Sequence, residues 1–266
     1  MDKTLLENLK TGKPHVSFSE LSCWKECSWR HKLQHVDKLG EFKHSVALAF
    51  GTLQHAAIEQ FVSTGSVNIE EFDQKLAEQW KEHDFEKDCP LALAQEQLHN
   101  ITLEFKPFMD QTFPEWKHVA SEFQLYEQIQ DTKHAFKGFI DLIIEVPGKR
   151  GKKLYWIIDL KTTQWGWDRE KKSDETTRYQ LIFYKNFWAK KNEIDPKDVR
   201  CAFLLLKKRG KPGKFCELIP VSVGDVTTGR AIKTLNNMLC SVNKGVALKN
   251  RNACKWCEFK GTEHCT

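Results

Sequence analysis

The spacing of apolar positions changes character along this chain. Ile69, Phe72, Leu76 and Trp80 recur at helical intervals, as do Leu91, Leu98, Ile101, Leu103 and Phe108. This pattern predicts two helices within 69–112, parted by Pro90, which cannot continue a helix. Upstream, Ser17 and Glu20 have capping-box spacing, with Val16 and Leu21 placed as a hydrophobic staple. They open an expected helix reaching about Leu33, with Cys23 and Cys27 four apart on one face. Another helix is expected from Ser45 to Ser63, carrying His55 and Glu59 one turn apart. Residues 1–15 read as a loose leader. From Lys117 the pattern turns strand-like. Strands are expected near 119–126, 134–146 and 154–161, with Asp131-Thr132-Lys133 as the first turn. A helix over about 173–191, strands at 199–207 and 215–221, and a helix over 223–242 follow. The order helix–strand–strand–strand–helix–strand predicts an α/β domain with a mixed sheet flanked by helices.

Composition narrows the class. The 266 residues are 40% hydrophobic, with 17 Phe and 9 Trp, enough for one sizeable core. No apolar run is long enough to span a bilayer, and residues 1–8 lack the apolar stretch of a signal peptide. A soluble, intracellular protein without a membrane partner is therefore expected. The net charge of +5 suits a nucleic-acid partner but does not by itself require one. Nine cysteines in an intracellular chain favour metal binding over disulfides.

Two strings carry the candidate chemistry. In Ile158-Asp159-Leu160-Lys161 the acid and the lysine sit two apart, so both point to one face of a strand. In Gly138-Phe139-Ile140-Asp141 a second acid precedes an apolar run. An acid and a lysine at the end of an apolar strand are expensive to bury without a purpose. Two carboxylates and an ammonium converging at one mouth of a sheet suit phosphodiester hydrolysis. Oxygen ligands hold Mg²⁺ or Mn²⁺, and a lysine helps stabilise developing charge. The plainer alternative is a surface ion pair at a strand end. At the chain's end, Cys254, Cys257 and Cys265 crowd together, with Cys27 as a candidate fourth partner from the start. Four thiolates can hold an iron–sulfur cluster or a structural zinc, and ligand chemistry alone does not separate the two. Cys89, Cys201, Cys216 and Cys240 read as independent thiols.

These strings resemble the PD-(D/E)XK nucleases. Gly138-Phe139-Ile140-Asp141 and Asp159-Leu160-Lys161 look like their second and third motifs. Thr52-Leu53-Gln54-His55 looks like the RecB-type histidine motif, and Gln180-Leu181-Ile182-Phe183-Tyr184 like the Gln-xxx-Tyr motif of that branch. Cys27-Ser28-Trp29-Arg30 and the cysteine tail look like the iron–sulfur members: AddB-type nuclease domains, CRISPR adaptation exonucleases and stand-alone viral exonucleases. Each motif is weak alone; their order and spacing carry the resemblance, which spans Ser17 to Cys265.

The resemblance implies a restriction-endonuclease-like αβββαβ core in one domain. Residues 17–44 would form an N-terminal helical segment with a cluster ligand, 64–116 a helical insertion, 117–243 the nuclease core and 244–266 the cysteine tail. It implies a Mg²⁺- or Mn²⁺-dependent DNA exonuclease of recombination, repair, replication or phage DNA processing, acting on single strands or frayed ends. His55, Asp141, Asp159 and the Leu160 carbonyl would hold the metal. Lys161 would position water, with Gln180 and Tyr184 beside the cut. Cys27, Cys254, Cys257 and Cys265 would hold a [4Fe–4S] cluster, with zinc as the alternative and Cys23 as a rival to Cys27. Arg178 would contact phosphate, and Trp165 and Trp167 would stack on bases. The rivals are a structure-dependent endonuclease, a catalytically silent DNA-binding module and a metal-clasped scaffold.

Overall fold

A computed structural model describes residues 6–266. The sheet has six strands: β1 (His15–Ser17), β2 (Lys117–Gln128), β3 (Ala135–Pro147), β4 (Lys153–Thr163), β5 (Val199–Lys207) and β6 (Cys216–Val221). They run in the order β1-β3-β4-β5-β6, with β2 on the other edge of β3. Pairing is parallel for β1–β3 and β4–β5 and antiparallel for β2–β3, β3–β4 and β5–β6. This is the expected mixed sheet.

Helices cover both faces. On one lie α3 (Val46–Thr64), α4 (Ile69–Glu82) and α5 (Leu91–Thr112), packed through Phe50, Ile58, Leu98, Ile101 and Phe105 onto Leu142, Ile144, Ile158, Leu204 and Leu206. The opposite face packs Ile140, Ile143, Ile157, Phe203 and Leu205 against α7 (Glu175–Lys191) and α8 (Asp225–Lys244). Alternating strand residues thus feed two separate cores, as the two-residue repeat requires. Helix α7 is apolar nearly all round and is buried from Tyr179 to Ala189 except at Asn186 and the intermediate Gln180. Among the described residues, no helix is long and apolar enough to cross a membrane.

Three local expectations are corrected. Residues 1–5 of the expected loose leader lie outside the described residues; of the rest, Leu9 and Thr11 are buried and His15 begins β1, which runs on into the expected start of the first helix. The helix expected to run from Ser17 to Leu33 breaks. The segment α1 (Phe18–Glu26) ends at Cys27, which is extended, and α2 (Ser28–His31) restarts before a π turn at Lys32–Val36. Cys23 and Cys27 therefore do not share a helix face. Only half the capping box forms. Ser17 accepts from the Glu20 backbone N–H at 3.2 Å, but the buried Glu20 carboxylate pairs with His31 at 3.1 Å. Further on, α6 (Arg169–Ser173) is separate from α7, because the Asp174 carboxylate starts a new helix by accepting from the N–H groups of Thr176 and Thr177.

Candidate active site

The site begins with a gap in the ladder. β2 covers one edge of β3 along most of its length. On the other edge β1 pairs with residues 135–137 and β4 with residues 142–147. The string Gly138-Phe139-Ile140-Asp141 lies between these two pairings. Beyond Ile158, β4 leaves β3 and continues alongside β5 alone. The two strands splay where their acids stand. The Asp141 side chain bridges the opening, its Oδ2 accepting the Leu160 N–H at 2.7 Å. A carboxylate thus takes the place of a backbone acceptor, which fixes its direction.

Asp159 is 1% exposed. Neither of its oxygens has a partner with hydrogen-bond geometry, although the Lys161 ammonium lies 2.7 Å from Oδ2 as an ion pair. Lys161 also donates to Gln180 Oε1 at 3.0 Å, and Gln180 Nε2 donates to the Tyr184 hydroxyl at 3.1 Å. The acid-x-lysine string and the Gln-xxx-Tyr string therefore form one hydrogen-bonded row. Tyr184 is 4% exposed, and its ring lies so close to Gly138 that a Cβ there would sit 2.7 Å from it. From α3, His55 Nδ1 approaches Asp141 Oδ2 to 3.8 Å. One donor atom each from His55, Glu122 and Asp141 lies within 4.8 Å of the others.

The electrostatics follow from burial. Burial, and then the neighbouring Asp159, raise the Asp141 carboxyl well above its ordinary range. Burial also lowers the His55 imidazole, favouring the neutral ring that a metal requires. For Lys161, burial pulls the ammonium down, but attraction to Asp159 more than offsets it and the net direction is up. Lysine thus stays charged beside acids that lack sufficient counter-charge.

A model of the PD-(D/E)XK nuclease superfamily matches residues 15–262. The chain belongs to this superfamily. A solved structure of a candidate exonuclease from Eubacterium rectale aligns with a TM-score of 0.58 at 13% identity, covering 92% of this chain and 86% of that one. At that identity the likeness is one of fold. The structure of SSO0001 aligns at a TM-score of 0.33 and 12% identity over 87% of this chain and 91% of that one, which carries no argument. No curated protein matches the chain.

PD-(D/E)XK nucleases use divalent metals, and the residues here fit one. The donors are carboxylates and an imidazole, suited to Mg²⁺ or Mn²⁺. Asp159 Oδ2 faces the Lys161 ammonium, but Oδ1 is buried with no partner, a costly state that a second cation would relieve.

Glu122, on the first long strand, is from sequence an acid that could reach the site, though not one of the expected metal ligands. Its backbone φ is +45°, in the left-handed region that side chains rarely adopt. The ladder pairs Ser121 with Leu142 and Phe123 with Ile140, and Glu122 turns between those two pairs, beside Asp141. A register shift between His118 and Ala120 precedes it. The available sequence signal is polar Ser121, which stands where strict alternation from Phe123 and Leu125 would place an inward apolar residue.

The other expected site residues are scattered. Trp165 is 60% exposed, with the Arg209 guanidinium 5.6 Å from its ring centre. Trp167 instead packs on Phe203 at 5.0 Å. Arg178 donates to the Ser222 carbonyl at 3.0 Å. At the end of β5, Lys207 pairs with Glu217 at 3.1 Å, and Lys208 is buried over the Phe50 ring.

The cysteines are not drawn into a ligand shell. Among the described residues, no three cysteine sulfurs lie within 4.8 Å of one another. Cys27, Cys254, Cys257 and Cys265 instead line one cavity of about 500 Å³. Cys23 is outside it, donating to Gln34 Oε1 at 3.2 Å, and burial pushes its thiol up to about 12. The two ends are joined by other bonds. Arg30 pairs with Glu258 at 2.9 Å, Trp29 Nε1 donates to the His264 carbonyl at 3.1 Å, and Asn250 Nδ2 donates to the Glu26 carbonyl at 2.8 Å.

Proposed function

We propose that the chain is a metal-dependent DNA exonuclease acting on single strands or frayed ends, with Asp141, Asp159, His55 and the Leu160 carbonyl as the metal-holding set. The observation that carries the reading is the splayed β3–β4 mouth, where buried, hydrogen-bond-free Asp159 stands beside a charged lysine. When bound, a divalent cation would supply Lewis-acid polarisation of phosphate and activation of water. The protein's own groups do the rest. Asp141 is oriented by the Leu160 N–H, and Asp159 holds Lys161 charged. The Gln180 side chain fixes the ammonium's direction, so Lys161 can orient water and stabilise charge developing on phosphate without reorganising. Tyr184, buried under Gly138, anchors Gln180; Arg178 and exposed Trp165 are the candidates for strand contact.

Support for exonuclease action comes from the helical layer of α3–α5 on the His55 side and from the fold shared with the E. rectale candidate exonuclease. Recombination, repair or viral DNA processing would be the setting. The test is timed digestion of end-labelled linear and closed circular single-stranded DNA with Mn²⁺. Progressive loss of the linear strand with the circle spared is expected. Equal rates on both would make the protein an endonuclease.

The same proposal includes a [4Fe–4S] cluster on Cys27, Cys254, Cys257 and Cys265, with the domain limits given above. With Zn–S bonds of about 2.3 Å, a zinc tetrahedron needs sulfurs roughly 3.8 Å apart. The four cysteines line one cavity of about 500 Å³, which has room for the larger group. Iron and sulfide near four each per chain in anaerobically purified protein is expected; one zinc and no iron would replace the cluster.

A further inference from the structure

We propose that the open part of the sheet face leading up to Asp141 is the track along which a single DNA strand reaches the cut, with the Phe139 ring as a platform for an unpaired base and Lys137 as a phosphate contact. The proposal rests on the nuclease reading above and names the form of substrate that the same site receives. Four observations carry it.

The first is coverage. On β3 the helical layer α3–α5 packs onto Leu142, Ile144 and Val146, all beyond Asp141. Before Asp141, Phe136 and Ile140 belong to the opposite core. Alternation therefore turns Lys137 and Phe139 to the other face, and Phe139 is 43% exposed there. The second is the neighbouring strands. Directly paired residues share a face of the sheet. Ser17 of β1 and Tyr126 of β2 both pair with Lys137, and exposed Gln124 pairs with Phe139. The His15 ring meets Tyr126 edge-on at 5.5 Å. Three strands thus present a floor of rings and polar groups rather than an apolar core. The third is continuity. Ser17, Lys137 and Phe139 line a cavity of about 370 Å³ together with Gln180 and Tyr184, the row that holds Lys161. Phe139 stands two residues before Asp141, about 7 Å at the usual strand rise, so a nucleotide stacked there neighbours the one being cut. The fourth is charge. The Lys137 ammonium lies 5.7 Å from the Phe139 ring centre. Burial, and then Lys137 and Lys13, lower the His15 imidazole, as cationic surroundings do. Phosphates suit this track as a cation suits the acidic mouth.

A ring exposed singly on a protein surface needs no function. Phe139 differs because it stands beside the acids, in a cavity shared with the row that positions Lys161. An aromatic ring accepts a base by stacking only when that base is unpaired, so the occupant is a single strand rather than a duplex.

The test is binding of a short fluorescent oligothymidylate to the full chain in chelator, read by anisotropy without cleavage. Phe139→Ala should weaken binding about tenfold, the scale of a lost base–aromatic stack. Phe139→Tyr keeps the ring and should stay within about twofold of wild type. Phe139→Leu guards against misfolding: it keeps apolar bulk without a ring and should lose affinity as Ala does. Lys137→Ala should reduce the slope of log affinity against log salt by about one. A blunt duplex containing the same strand should not respond to Phe139 substitution. Wild-type affinity in Phe139→Ala and Phe139→Leu would overturn the proposal, and so would an equal loss on the duplex. If wild type cuts with Mn²⁺ while the Phe139 variants bind unchanged, the track falls and the nuclease reading stands. Ring-dependent binding without any cleavage by wild type would keep the track and remove the nuclease reading.

Discussion

The acidic mouth and the cysteine-lined cavity are both places where distant residues meet, but they meet differently. At the mouth, paired strands fix the backbone, Leu160 N–H fixes Asp141, and Gln180 fixes Lys161. His55, Glu122 and Asp141 already stand within reach of one ion. Around the cavity, the thiols sit on extended Cys27 and on the short 3₁₀ segment Arg251–Trp256 and the turns after it, wider apart than a single ion requires. The Arg30–Glu258 pair and the Trp29–His264 bond hold that region together. Regular secondary structure positions a catalytic group before its ligand arrives. Short turns place the thiols around a cavity without drawing them together.

The largest effect should fall on the ordered site. Asp141→Asn or Asp159→Asn should lower cleavage by about a thousandfold, the scale seen when a charge-stabilising group is removed. Circular dichroism should show the fold intact. Asp159→Asn should also lower the unfolding temperature of metal-free protein, since it leaves the buried Lys161 ammonium without its counter-charge. A variant cutting at near wild-type rate would remove that residue from the account.

The cysteine region should respond in stability rather than chemistry. Cys254→Ala or Cys27→Ala should lower solubility and unfolding temperature, while Mn²⁺ binding at the mouth persists. Cys23→Ala should do neither. The reverse pattern for Cys23 and Cys27 would exchange their roles.

A tight contact joins the mouth to its helix. Gly138→Ala places a Cβ 2.7 Å from the Tyr184 ring and should cost about 1–3 kcal/mol, the usual range for overpacking, in denaturant unfolding. Gly138→Ala combined with Tyr184→Leu should recover part of that loss.

Proton linkage should separate the regions more gently. Asp141 has a raised folded pKa, so the native state binds more protons than the unfolded one. Metal-free stability should therefore fall as pH rises from the ordinary carboxyl value of 3.8 towards the raised one. His55 acts oppositely: its lowered value makes stability fall as pH drops through 6.5 and below. Burial also raises Glu122, which adds a slope of the same sign, so Asp141→Asn should reduce the first slope and leave the second; a first slope of unchanged size would assign it elsewhere. The smallest effect is expected at Trp165. Replacing this exposed ring with Ala should shorten the run per binding event more than it slows one cut. Trp167→Ala should instead reduce stability through lost packing on Phe203.

The sheet was legible because its strands carry apolar runs and its helices carry the 3.6-residue period. Strand β5 falls on the expected residues 199–207, and α3 begins one residue after the expected Ser45, which caps it. β1 was not legible. Three residues, His15 to Ser17, make too short a pattern, and their pairing with β3 is a long-range event. The break at Cys27 was hidden because nothing in Glu26-Cys27-Ser28 forbids a helix; bonds from Asn250 and Leu248 at the far end of the chain hold it open. The turn at Glu122 was hidden for a similar reason, although its place on a strand beside the site was not. A positive φ at a glutamate leaves no composition signal, and only the paired strand and the mouth explain it. Asp141, Asp159 and Lys161 could be picked out because buried charge at the end of an apolar strand is conspicuous in one dimension. Their bridging by Leu160 N–H was not.

The central claim is that the splayed strands form a cation-dependent hydrolytic site served by Lys161. Its most direct test is single-turnover cleavage of end-labelled linear single-stranded DNA by wild type and Lys161→Ala, in Mn²⁺ and in chelator. Wild type should cut only with Mn²⁺, and Lys161→Ala should bind the strand without cutting it. Cleavage by wild type in chelator, or by Lys161→Ala at near wild-type rate, would contradict the claim.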